Sequence, residues 1–234
     1  MGTATLLGNA TGFGTINAGP YTTTAGSTIV LFANFDAGAS PTFSHNKSGS
    51  ITVTGAGFDN FGTSVGSRIA RLENNPGGSG HTFTMTLTGG GHLAVVEIAG
   101  AASASYDVSD QVADTSTPYD SPSVTTTQAN ETAIGYFVSE STGTAHVAGN
   151  GFTSLLYNED YWNSCVAYKS LSATGSVNSS FTCTGTPAGQ VYIATFKDAA
   201  SGASGTVAYT NANDTLSASG AVVTFTPLMG QACL

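Results

Sequence analysis

Apolar runs of four to eight residues, separated by clusters of Gly, Pro, Asn and Ser, recur along the whole chain. Short runs bounded by turn-forming residues are the pattern of strands in antiparallel sheets. It predicts strands near residues 11–17, 28–36, 50–54, 67–73, 81–88, 92–99, 132–139, 151–157, 163–171, 178–184, 190–197, 205–210 and 220–226, an all-β chain.

The runs also echo one another. Thr22-Thr23-Thr24-Ala25 leads into Ile29-Val30-Leu31-Phe32-Ala33-Asn34-Phe35, and Thr125-Thr126-Thr127-Gln128 leads into Ala133-Ile134-Gly135-Tyr136-Phe137-Val138. Gly55 to Phe58 is answered by Gly149 to Phe152, Ser67 to Arg71 by Ser164 to Tyr168, and Phe83 to Thr86 by Phe181 to Thr184. Each copy closes on a strand-like run, Leu93 to Ile98 and Val191 to Phe196. A half of four or five strands leaves one sheet face uncovered, so the simplest arrangement buries the two faces against each other. The expected fold is a two-sheet antiparallel β-sandwich of jelly-roll type over residues 1–200, with halves at about 20–103 and 125–200. Residues 201–234 form a separate C-terminal β-hairpin tail or assembly extension in this reading. Ala101 to Pro122, rich in Ser, Asp and Pro, reads as a solvated connector, although Asp107, Asp110, Asp114 and Asp120 are oxygen ligands of the kind calcium takes.

A turn at Asn74 to Ser79, and its counterpart at Ala173 to Ser176, predict one hairpin per copy. Index symmetry about residue 174 then sets Cys165 opposite Cys183, as symmetry about Pro76-Gly77 sets Arg68 opposite Met85. Facing cysteines at a non-hydrogen-bonded site are within disulfide reach. The alternatives are a Cys165–Cys183 bond or two buried thiols acting as small apolar residues. Cys233, next to the last residue, is left over.

Composition sharpens the class. Charged residues are only 8% of the 234, far below an ordinary soluble domain, while 12 Phe and 9 Tyr sit within the strand-like runs and argue against disorder. A net charge of −9 with only five cations leaves nothing to neutralise a phosphate backbone, so nucleic acid is excluded as a main partner. No apolar run is long enough to cross a bilayer as a helix, and the first residues do not read as a signal peptide.

Candidate chemistry is sparse. No G-x-S-x-G elbow is present, His45, His81, His92 and His146 are scattered, and no Cys/His spacing suits zinc, so neither a metal nor a cofactor is expected. Glu97, Glu140 and Glu159-Asp160 do not pair as glycosidase acids would. The richest cluster is Tyr157-Asn158-Glu159-Asp160-Tyr161-Trp162-Asn163, which holds the single Trp. Flat rings beside amides and carboxylates suit a sugar, making Tyr157, Asn158, Glu159, Tyr161 and Trp162 the candidate ligand site. The same rings also suit a plug at the end of the sandwich or a subunit contact.

The order T-I-V-L-F-A-N-F, the Pro76-Gly77 turn, H-L-A-V-V-E-I-A-G-A, Thr125 to Glu131 and Q-V-Y-I-A-T-F-K resembles a jelly-roll domain that recurs in bacteriophage virion proteins and some bacterial surface proteins. Gly205 to Gly220 is similar to modules of phage structural proteins. The resemblance implies a non-enzymatic virion component, a capsid decoration protein or a head or tail fibre, that is homo-oligomeric and bound to other capsid or tail proteins. The alternative is a carbohydrate-binding module or adhesin, extracellular or on a cell surface, that takes a host-surface glycan.

Overall fold

A computed structural model describes residues 2–61, 65–140, 146–158, 163–185 and 187–200. The chain divides into two compact units, Met1–Ala199 and Ala200–Leu234. The tail expected at 201–234 lies outside the described residues.

The described residues form strands and no helix. The first copy holds β1 (Thr3–Thr23), β2 (Thr28–Asp36), β3 (Thr42–His45), β4 (Thr52–Phe61), β5 (Val65–Leu72) and β6 (Gly78–Ala99). The second holds β7 (Ala101–Asp114), β8 (Tyr119–Asp120), β9 (Val124–Thr125), β10 (Glu131–Ser139), β11 (His146–Ala148), β12 (Thr153–Asn158), β13 (Ser164–Leu171), β14 (Ser176–Val177), β15 (Ser180–Cys183) and β16 (Gly189–Asp198).

Each copy builds one main sheet in the same order, β1-β6-β2-β5-β4 and β7-β16-β10-β13-β12. All pairings are antiparallel. The main sheets meet face to face: Val30, Phe32, Ile69, Val96 and Ile98 of the first share one apolar cluster with Ile134, Tyr136, Val166, Tyr192 and Phe196 of the second. On its far side each sheet is covered again by its own chain. In the first copy Ile16, Ala18, Phe83 and Met85, from the distal parts of β1 and β6, pack on Ile29, Leu31 and Phe35. In the second, Tyr119, Val124, Val177 and Phe181, from β8, β9, β14 and β15, pack on Ala133, Phe137, Val191 and Ile193. The result is an all-β sandwich of four layers. Period-two alternation sends odd residues of β2 and β10 to the outer cores and even ones to the shared core. Both faces are dry, which is why these strands read as nearly continuous apolar runs.

Three expectations are corrected. The connector at 101–122 is β7 and β8, the opening strands of the second copy and counterparts of β1. The copies therefore begin earlier than the echo suggested, with Thr3 paired to Ala99 and Ala101 to Asp198.

The predicted hairpins do not form. β2 lies between β5 and β6, with Ala33 opposite both Arg68 and Leu93, and β10 lies between β13 and β16, with Phe137 opposite both Cys165 and Val191. The chain crosses over a central strand instead of turning straight back.

Cys165 and Cys183 are consequently not facing neighbours. Cys165 sits on β13 opposite Phe137 and Tyr157, Cys183 on β15 opposite His146, and both are free thiols. They line one apolar cluster from different sheets, as small apolar residues do. Burial pushes the Cys165 thiol up to about 11 and raises that of Cys183 as well.

Candidate functional site

Tyr157 and Asn158 end the edge strand β12, paired with Cys165 and Ser164. Glu159, Tyr161 and Trp162 lie outside the described residues, so the sugar-site expectation rests on sequence alone. Of the connector acids, Asp110 and Asp120 are exposed strand residues, while Asp107 enters a cluster described below. Among the described residues no three His, Cys, Asp or Glu side chains converge as metal ligands do.

Polar chemistry gathers instead where each copy enters its central strand. In the first copy Glu97 Oε1 accepts the Thr24 N–H at 2.6 Å and the Ser27 hydroxyl at 2.7 Å. In the second copy the matching acid is on the other strand: Glu131 Oε1 accepts the Gln128 N–H at 3.2 Å, and its carboxyl lies beside the Thr195 hydroxyl. Thr28 pairs with Ile98 and Thr132 with Phe196, so Ser27 corresponds to Glu131 and Glu97 to Thr195. An acid and a hydroxyl have exchanged strands between copies, and the loop N–H is answered either way.

The repeated threonines have a matching role. Thr23 Oγ1 lies 3.0 Å from His81 Nδ1, and His81 Nε2 lies 2.9 Å from His45 Nδ1. The His45 Nε2 to Gly49 O contact, at 3.3 Å, fixes the direction of the chain because a carbonyl only accepts. Proton by proton, His45 Nε2–H donates to Gly49 O, His81 Nε2–H to His45 Nδ1, and the Thr23 hydroxyl to His81 Nδ1. Sequence reading missed this pair, since His45 on β3 faces Phe83 and meets His81 only diagonally across β6. A hydroxyl, a histidine and an orienting partner in line are the parts of a nucleophilic triad. Yet His81 is fully buried and Thr23 only 5% exposed, so the hydroxyl has no open approach for a substrate. Burial first, then His45 and Lys47, lowers the His81 pKa to about 4 and keeps the ring neutral.

At the equivalent place in the second copy Thr127 binds Asp107 through both its N–H, at 2.8 Å, and its hydroxyl, at 2.5 Å. Lys197 Nζ stands 2.9 Å from the same carboxylate. Burial works to raise the Asp107 pKa, but Thr127, Lys197 and then Glu131 outweigh it and hold it at about 2. Glu131 is raised, by burial first and then by Asp107.

Between the copies a third cluster ties β5 and its following turn to β7. Arg71 Nε meets Glu73 Oε2 at 3.2 Å and its guanidinium lies 4.0 Å from the Tyr106 ring centroid. Glu73 Oε1 accepts the Tyr106 N–H at 2.7 Å. Burial would raise Glu73, but the Tyr106 N–H, Arg71 and the Ser105 hydroxyl together lower it. Inside the shared core Tyr192 donates its hydroxyl to Ser67 O at 3.1 Å, and Ser67 Oγ bonds Gln190. No family model matches the chain, and no curated protein or solved structure matches it.

Proposed function

We propose that this chain is a non-enzymatic structural protein of a bacteriophage virion, a capsid decoration protein or a component of a head or tail fibre, working as a homo-oligomer against other virion proteins. The observation that carries the reading is where the polar groups go. The His45–His81–Thr23 chain, the Glu97 and Glu131 clusters and the Arg71–Glu73–Tyr106 bridge all close on backbone or on strands of the same chain. They hold strand entries and stack two copies, work suited to a particle under mechanical stress. The cations follow suit: Lys47 and Lys169 donate to the carbonyls of Ser79 and Asn150, Lys197 meets Asp107, and Arg71 meets Glu73. That leaves little positive charge to recruit nucleic acid.

The test is cosedimentation of the full chain with assembled phage capsids and with isolated tails. Saturable binding to one of them, at a fixed number of copies per particle, is the expected result. Failure to bind either, together with glycan-array binding abolished by Trp162→Ala, would replace this reading with the carbohydrate-binding one.

A further inference from the structure

On the outer face of the second main sheet, three side chains that are far apart in sequence converge. Lys197 of β16 has Glu131 of β10 directly opposite in register on one side, and Asp107 of β7 on the other, its Nζ 2.9 Å from Asp107 Oδ1. The strand pairing explains how Asp107 arrives. The register of β7 with β16 slips between Ala194/Ser109 and Phe196/Tyr106, so residues 107 and 108 both oppose Thr195. A bulge of this kind re-aims a side chain, here toward Lys197.

The site is enclosed on its acid side. Asp107's side chain is 2% exposed, Glu131 is fully buried, and Lys197 retains 29%. Glu131 Oε2 has no short hydrogen bond among the described residues, and its polar neighbours are the Thr195 hydroxyl and the Asp107 carboxyl. An ion pair needs one carboxylate. This lysine has two acids beside it, the second raised toward its protonated form by burial and by Asp107.

We propose that Lys197 and Asp107 condense in the folded chain to an intramolecular isopeptide bond, with Glu131 as the proton carrier. The ammonium of Lys197 gives up a proton within the carboxyl pair, and the neutral Nζ attacks Asp107 Cγ, forming the N–C bond. Glu131 protonates the departing oxygen, a C–O bond breaks, and water leaves. A second proton from the nitrogen restores Glu131. Ammonium and carboxylate become amide and water, Glu131 ends as it began, and no external reactant is consumed. Contact between amine and carboxyl makes the step unimolecular. The Thr127 N–H already binds Asp107 Oδ2 and is placed to stabilise the oxyanion there when Oδ1, held by the Thr127 hydroxyl, is the oxygen that departs.

The first copy provides an internal comparison. It has Ala99 where the second has Lys197, Ser27 for Glu131, and Thr5, paired with Glu97, for Asp107. The reactive set belongs to the second copy, whose β16 leads into the chain beyond Ala200. The inference goes beyond the virion reading and does not depend on it.

The experiment is intact mass spectrometry of the full chain, denatured and reduced after it has folded, followed by proteolysis. A mass 18 Da below that of the sequence, with a branched peptide joining Asp107 to Lys197, is expected. Glu131→Gln and Lys197→Arg should each restore the unmodified mass with the strand spectrum retained by circular dichroism. Wild-type protein that stays at its sequence mass through a day in the folded state overturns the proposal. So does an 18 Da loss that maps to a succinimide at one residue, or that survives Lys197→Arg. The wild-type peptide map decides even if a variant fails to fold.

Discussion

The exchange of an acid and a hydroxyl between copies can be tested by moving the second copy's arrangement into the first. Glu97→Thr removes the carboxylate that accepts the Thr24 N–H and the Ser27 hydroxyl, at 2.6 and 2.7 Å. Hydrogen bonds to a charged group contribute about 1.5–3 kcal/mol each. The new Thr hydroxyl recovers part of one, so the single variant should lose about 2–4 kcal/mol. Ser27→Glu alone sets two carboxyls together at a site where Ser27 is 1% exposed and Glu97 8%. Like charges at that range force one to stay protonated, at a cost of about 3 kcal/mol at neutral pH. The double variant, Ser27→Glu with Glu97→Thr, reproduces the Glu131–Thr195 pair and should lie within about 1.5 kcal/mol of wild type, tolerances for volume included. The double-mutant cycle in guanidinium chloride should then give a coupling of about 3 kcal/mol or more. In a chain of this length each kcal/mol moves the Tm by about 2–4 °C, so thermal scans give a parallel reading. Additive losses, with a coupling under about 0.5 kcal/mol, would show that the two clusters are not equivalent and refute the argument.

Acid should weaken the fold through its histidines. His81 and His146 are both lowered from 6.5 to about 4, so the unfolded chain takes up their protons first, and stability is fully present above pH 6.5 and lost as pH falls toward 4. Each contributes up to about 3 kcal/mol, and denaturation midpoints at pH 7, 5.5 and 4 should fall steadily, with a smaller drop in His81→Gln. Two tyrosines of the shared core should respond differently to loss of their hydroxyls. Tyr192→Phe removes bonds to Ser67 and should cost about 1–2 kcal/mol, whereas the buried Tyr136 hydroxyl has no hydrogen-bond partner among the described residues and Tyr136→Phe should be neutral or stabilising by about 1 kcal/mol, read from urea midpoints. The thiols offer a mass test: peptide mapping without reductant should show no Cys165–Cys183 link, and iodoacetamide should label Cys183 well before the buried Cys165.

The parts of the fold legible in the sequence were those where one strand carries its own signal. The runs at 29–35, 93–98, 133–138 and 191–196 carry apolar residues on both faces, and they form the centres of the main sheets. The pattern shows β1 only at 11–17 because Gly8, Gly14 and Gly19 interrupt its alternation near register shifts. β7 was hidden by its Ser and Asp residues, although Pro118-Tyr119 repeats Pro20-Tyr21 and would have aligned the connector with the opening of the chain. Cysteine pairing failed for a topological reason. Index symmetry identifies partners only when successive strands are neighbours, and here β13 and β15 lie in different sheets. Glu131 and Lys197 were invisible as a pair because 66 residues separate strands that the register sets side by side. The Thr23–His81 contact runs diagonally between the paired strands β1 and β6, whose partners lie 58 residues apart in sequence, a relation that no local pattern encodes.

The pairing of Thr3 with Ala99 means that the first copy is complete once residue 99 has left the ribosome, with only Gly100 before β7 begins. At synthesis rates of about 5–20 residues per second it waits seconds for its counterpart. During that interval Val30, Phe32, Val96 and Ile98 present a finished apolar face with no cover. The same face fits the second copy of a neighbouring chain whose synthesis is further advanced. Crowded polysomes therefore favour exchanged dimers in which each main sheet is covered by a neighbour's, and slower initiation favours closure within one chain.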